Sequence, residues 1–150
     1  MFFPAGLNRF DHEKGLIALQ MTLDLFLKEL IALIKQDYPQ HFRRMVSDTE
    51  GLVWLQTLDK EETLIKVTVD DVVIGSETIP NKVDVRVNLS RKCLFDLLEG
   101  RITLDKALKA NEVEAFGEPA TLLKCYRIFE QILLLSRLSP RFYFLTYKLR

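Results

Sequence analysis

The sequence has 150 residues, 48% of them hydrophobic and 28% charged, a balance that argues against intrinsic disorder and for one domain with its own core. Its 21 basic and 21 acidic residues cancel, so no global positive field recruits nucleic acid or an anionic bilayer. Only Cys93 and Cys125 are present, outside any CxxC pair, which speaks against a disulfide scaffold and a cysteine-built zinc site.

At the N-terminus, Phe2 and Phe3 are followed by Pro4, Asp11, His12 and Glu13. That order does not fit a signal peptide, which places basic residues before an unbroken apolar run. The most apolar stretch, Leu16 to Ile34, is broken by Asp24, Lys28 and Glu29 and fails as a membrane span. A cytoplasmic location is the expectation. Glu13 to Asp37 reads as a long helix. Leu16, Leu19, Leu23, Phe26, Leu27, Leu30, Leu33 and Ile34 share one broad apolar face. Ile17, Met21, Leu25 and Ile31 fall outside it, predicting a helix that packs on two sides: its own sheet, and either a second helix, a subunit or a lipid.

Pro39 restarts the chain as a short helix near Gln40 to Val46. The period then changes. Strands are predicted at Val53 to Leu58, at Thr63 to Val69 and from Val72 to about Glu77, with Asp70 and Asp71 in a hairpin turn. Lys82 to Leu89 alternates most cleanly, with Val83, Val85, Val87 and Leu89 on one face and Lys82, Asp84, Arg86 and Asn88 on the other. One dry and one wet face imply an antiparallel sheet covered on one side by helices.

Ser90 caps a helix from Arg91 to Glu99 that Gly100 ends, and Thr103 caps a shorter one carrying Leu104, Ala107 and Leu108. Glu112 to Phe116 reads as a strand. Pro119 opens a helix to Leu138, ended by Ser139 and Pro140. The tail, residues 141–150, mixes Arg141, Lys148 and Arg150 with Phe142, Tyr143, Phe144 and Tyr147, and reads as a final strand or an arm. No internal boundary divides the chain. It reads as a single domain, 1–150, with a helical N-terminal extension over residues 1–47.

Catalytic signatures are missing from the sequence. No Gly-rich phosphate loop and no GxSxG elbow occurs. His12 and His41 have no second histidine at metal-ligand spacing, so surface or packing roles are expected for both. Cys93 lies near a helix start, where a thiol pKa can fall, but reads better as a small core residue beside Leu94 and Leu97; Cys125 reads the same way. Glu112 and Glu114 share a strand face, more simply explained as a solvated edge than as an acid–base pair. No cofactor, no metal and no catalytic residue is assigned.

The order of the later segments carries a resemblance. Val83-Asp84-Val85-Arg86-Val87-Asn88-Leu89, then Leu94-Phe95-Asp96-Leu97-Leu98-Glu99-Gly100, then Leu104 with Ala107-Leu108, Val113 through Gly117-Glu118, and Leu122-Leu123 follow one another as in the sterol carrier protein domain. The span from Trp54 to Leu134 resembles that family. The resemblance implies an α+β fold: about five mainly antiparallel strands, covered on one face by helices that enclose a hydrophobic tunnel or pocket. It also implies noncatalytic binding or transfer of a lipid, sterol-like or isoprenoid compound, and relatives serve in larger enzymes and in prenyl-quinone biosynthesis. Apolar positions facing that interior are Phe26, Leu27, Leu30, Trp54, Ile65, Val67, Leu94, Leu98, Phe116, Leu122, Tyr126 and Phe129, with solid core as the competing role of each. A structural or regulatory homodimer with a closed pocket, or an accessory of a lipid pathway, is the alternative, and the aromatic, basic tail leaves room for peripheral membrane contact. Two features depart from the family pattern: the unusually apolar N-terminal helix, and a C-terminus, Tyr147-Lys148-Leu149-Arg150, that lacks the small-Lys-Leu peroxisomal address.

Overall fold

The computed structural model describes residues 21–75, 80 and 82–149. Its elements are α1 (Leu23–Asp37), α2 (Pro39–Asp48), β1 (Val53–Leu58), β2 (Glu61–Val67), β3 (Val72–Ile74), β4 (Val85–Leu89), α3 (Arg91–Leu98), α4 (Leu104–Lys109), β5 (Val113–Gly117), α5 (Pro119–Leu138) and α6 (Pro140–Leu149). The strands form one sheet in the order β3-β2-β1-β4-β5. β1 and β4 run parallel at its centre, and every other pair is antiparallel. This is the expected α+β architecture.

Local chemistry explains most element ends. Thr22 is extended, and its side chain accepts a hydrogen bond from the Leu25 N–H, capping α1. A helix continuous from Glu13 is therefore ruled out at Thr22; the earlier part of that expectation, Glu13 to Gln20, lies outside the described residues. Ser90 and Thr103 cap α3 and α4 through the N–H groups of Cys93 and Lys106. Gly100 follows α3 at φ +76°, the left-handed conformation that glycine adopts freely.

The sheet departs from the expected bounds at four strands, β5 only by a one-residue shift to Val113–Gly117. β2 starts two residues early and ends at Val67, because Thr68 to Asp71 form the turn: the Thr68 N–H donates to the Asp71 carbonyl at 2.8 Å. That leaves Val69 in the turn, 74% exposed, not on the inner face. β3 ends at Ile74, before Gly75, and the last part of its expected span, residues 76–77, lies outside the described residues. β4 begins at Val85 because Asp84 is engaged by the start of β1. The Asp84 carboxylate accepts from the Val53 N–H at 2.8 Å, and the Asp84 N–H donates to the Val53 carbonyl. The outer face is also less wet than expected, since Leu55 and Leu64, paired across β1 and β2, are both buried.

The tail is a helix, not a strand or arm. Ser139 Oγ accepts from the Phe142 N–H at 3.3 Å, and Pro140 takes the first position of α6, where its missing N–H costs nothing. Phe142 and Leu145 are buried as α6 packs on α1 and α5. The surplus apolar residues of α1 are largely absorbed inside the chain: Met21 is buried and Ile31 packs on the core, while Leu25 stays 47% exposed. Ile17 lies outside the described residues.

At the far sheet edge, Gly117 pairs with Val85, and a Cβ there would stand 2.8 Å from the Asp84 carbonyl oxygen. Gly117→Ala is expected to destabilise the fold by about 1–3 kcal/mol, the usual cost of forcing atoms into a packed site, read as a lower denaturation midpoint at unchanged slope.

A dry cavity between helices and sheet

Inward-facing side chains of the strands meet α1, α2, α3 and α5 around a cavity of about 130 Å³. Of the positions named from the sequence, Phe26, Leu27 and Leu30 of α1, Trp54 of β1, Ile65 and Val67 of β2, Leu94 and Leu98 of α3, and Phe129 of α5 line it. Leu122 and Tyr126 lie instead in a neighbouring open groove of about 430 Å³, next to α4 and β5. Trp54 and Phe129 line both spaces and so form a shared wall between them. Phe116 belongs to neither. In β5 Val113 and Ala115 turn toward the helices, and alternation puts Phe116 on the other face, 54% exposed.

Sequence reasoning missed Phe42, Met45 and Val46 of α2, which line the cavity at a spacing of three and four, the helical signature of a buried face. It also missed Gln56. Gln56 is buried on the inner face, where its Oε1 accepts from Trp54 Nε1 at 2.9 Å and its Nε2 donates to the Thr57 and Val87 carbonyls. Thr49, the other lining residue with a polar side chain, donates to the Met45 carbonyl at 2.6 Å. These groups are satisfied within the protein, so the lining presents mainly carbon to a guest. Across β1 and β2 from Gln56, the buried Thr63 hydroxyl has no hydrogen-bond partner among the described residues.

Asp59 and Glu61, at the β1–β2 hairpin, fasten one end of this layer. Glu61 accepts from the Leu23 N–H at 3.0 Å through one carboxylate oxygen and pairs with Arg91 at 2.7 Å through the other. Asp59 accepts from the Arg91 N–H at 3.2 Å. The starts of α1 and α3 are thereby tied to the β1–β2 hairpin.

The cavity's size is close to the roughly 150 Å³ of a dry engineered cavity that admits benzene, and below the roughly 300–1,000 Å³ of pockets for drug-sized ligands. A ring or a short run of methylenes fits as it stands. A longer guest has to displace side chains, and the Trp54–Phe129 wall stands between the cavity and the larger groove.

No family model matches the chain, and no curated protein matches it in sequence. Its fold has clear counterparts among solved structures. A "UbiJ-SCP2 Ubiquinone synthesis protein" superposes with a TM-score of 0.55 at 15% identity, covering 81% of this chain and 99% of that one. The chain has the sterol carrier protein fold. Sterol carrier protein 2 from Yarrowia lipolytica, in its apo form, superposes on the same fold with a TM-score of 0.51 at 17% identity, over 73% of this chain and 88% of the other. The sterol carrier protein domain 2 of Helicoverpa armigera gives 0.51 at 14% identity, over 72% and 85%.

Within this sterol carrier protein fold, burial holds both thiols protonated. Burial pushes Cys125 up to about 11 and also raises Cys93, where the charges of Glu112 and Asp96 add to the effect. At pH 8 the folded protein is expected to show no rapid reaction with a thiol reagent, and both cysteines should react once it is unfolded. Fast modification of either in the folded state would contradict that burial. His41 packs edge-on against Tyr38, ring centres 6.0 Å apart. Among the described residues no group of three or more His, Cys, Asp or Glu side chains is placed to hold a metal, and no helix is long and apolar enough to cross a membrane.

Proposed function

We propose that this protein is a noncatalytic binder or carrier of one hydrophobic small molecule, a lipid, sterol-like or isoprenoid compound, taken up between its helices and its sheet. The observation that carries this reading is the apolar cavity, whose few polar groups are already paired within the protein. Affinity then comes from desolvation, about 0.8 kcal/mol for each methylene buried. Selectivity comes from the shape of the space. The likeness to a ubiquinone synthesis protein favours an isoprenoid-tailed ligand and an accessory place in prenyl-quinone synthesis.

Peripheral membrane contact belongs to the same reading. On α6 the exposed Tyr143, Phe144 and Tyr147 accompany Arg141 and Lys148, and no acidic residue occurs after Glu130. That composition suits the boundary between headgroups and acyl chains.

Native mass spectrometry of protein purified without detergent tests the carrier reading. A species heavier by one lipid or isoprenoid molecule, released by organic solvent, is the expected result. Absence of enrichment across those classes would overturn it.

A further inference from the structure

A second, polar cleft of about 330 Å³ lies between α2 and α5, lined by His41, Arg44, Asp48, Lys124, Arg127 and Gln131 together with Met45 and Ile128. Met45 and Ile128 also line the dry cavity. The two spaces are therefore neighbours across a shared pair of apolar side chains, one with a polar lining and one with an apolar lining.

The cleft follows from helix periodicity. His41, Arg44 and Asp48 fall on one face of α2, and Lys124, Arg127 and Gln131 fall on one face of α5, each set spaced by three and four. The helices bring these faces together from distant parts of the chain. The charge is one-sided: Arg44, Lys124 and Arg127 face a single carboxylate, Asp48. Arg44, Lys124 and Arg127 make no ion pair among the described residues, as holds for most basic side chains of the chain, but these three converge on one concavity. In a chain of zero net charge, three unmatched cations in one concavity form a local positive field directed at an anion.

We infer that this cleft is the headgroup subsite of an anionic amphiphile, whose phosphate or carboxylate is held by Arg44, Lys124 and Arg127 while its tail passes between Met45 and Ile128 into the dry cavity. The inference rests on the carrier reading and narrows it from any hydrophobic molecule to one with an anionic end. Arginine suits the role, since its planar fork donates two parallel hydrogen bonds to a phosphate or carboxylate. Because the cations are exposed, their contribution should weaken as salt screens them.

The test uses three probes with the full chain: decyl phosphate, decanol and inorganic phosphate. Decyl phosphate is expected to bind at least tenfold more tightly than decanol at low salt, with this preference shrinking at high salt. Inorganic phosphate alone should bind far more weakly than decyl phosphate. In the double variant Arg44→Gln, Arg127→Gln the preference for decyl phosphate over decanol should fall close to one.

Equal affinity for decyl phosphate and decanol in the unaltered protein would overturn the subsite and leave the carrier reading standing. Inorganic phosphate binding as tightly as decyl phosphate would make the cleft a free-anion site and overturn its link to the cavity. A preference unchanged in the double variant would place the anion elsewhere and overturn the assignment. Failure of both decyl compounds to bind would overturn the carrier reading and the subsite with it.

Discussion

Replacing Phe142 with alanine is expected to remove about 3–5 kcal/mol of stability, the range for deleting a buried aromatic ring. Phe142 is fully buried, and the helix carrying it packs on α1 and α5, which supply part of the cavity wall. The loss is a large share of the roughly 5–15 kcal/mol that holds an ordinary domain together. Guanidinium denaturation measures it, with Tyr147→Ala as the control: Tyr147 is 66% exposed, and surface substitutions usually stay within about 0.5 kcal/mol. Equal midpoints for the two variants would mean that α6 is a loose arm after all.

The second large effect concerns the cavity itself. Ile65 faces Trp54 across one strand pair and Ile74 across the other, and all three line the empty space. Ile65→Trp should occupy that space with an indole ring. Binding of a fluorescent fatty-acyl probe is then expected to weaken at least tenfold, equivalent to about 1.4 kcal/mol. Stability should fall by less than the roughly 1–3 kcal/mol that overpacking costs a filled core, because the ring enters room already present. The opposite pair of results, a large stability loss with binding intact, would mean that the layer is solid and any guest binds elsewhere.

Much of this architecture is legible in the sequence because local rules govern it. The alternation of Val85, Val87 and Leu89 gives β4, and Ser90, Thr103 and Pro119 announce their helices through capping chemistry that needs no tertiary context. The tail shows how two local signals compete. Phe142, Tyr143 and Phe144 have strong strand preference, yet Ser139 and Pro140 form a helix start, and packing on α1 and α5 sides with the cap. Ser139 closes α5 and opens α6, so reading it only as a stop loses the last helix.

The candidate site divides in the same way. Positions on long periodic elements, such as Phe26, Leu30 and Val67, fall where their spacing puts them. Phe116 does not, since its size suggests core while parity with Val113 turns it outward. The spacing of Phe42, Met45 and Val46 is sufficient to find the α2 wall. Gln56 is not recoverable in this way: its burial depends on Trp54 and on the Val87 carbonyl of a strand far along the chain. Nor is the cationic cleft, whose charges become neighbours only after α2 and α5 have met.

The polar fastening at the β1–β2 hairpin makes the helical layer asymmetric. Glu61 and Asp59 anchor the first turns of α1 and α3, whereas α2 and α5 flank a cleft whose basic groups make no ion pair among the described residues. A molecule too bulky for the cavity thus meets charged ties at the hairpin end of the layer and, among the described residues, no ion pair across the α2–α5 cleft.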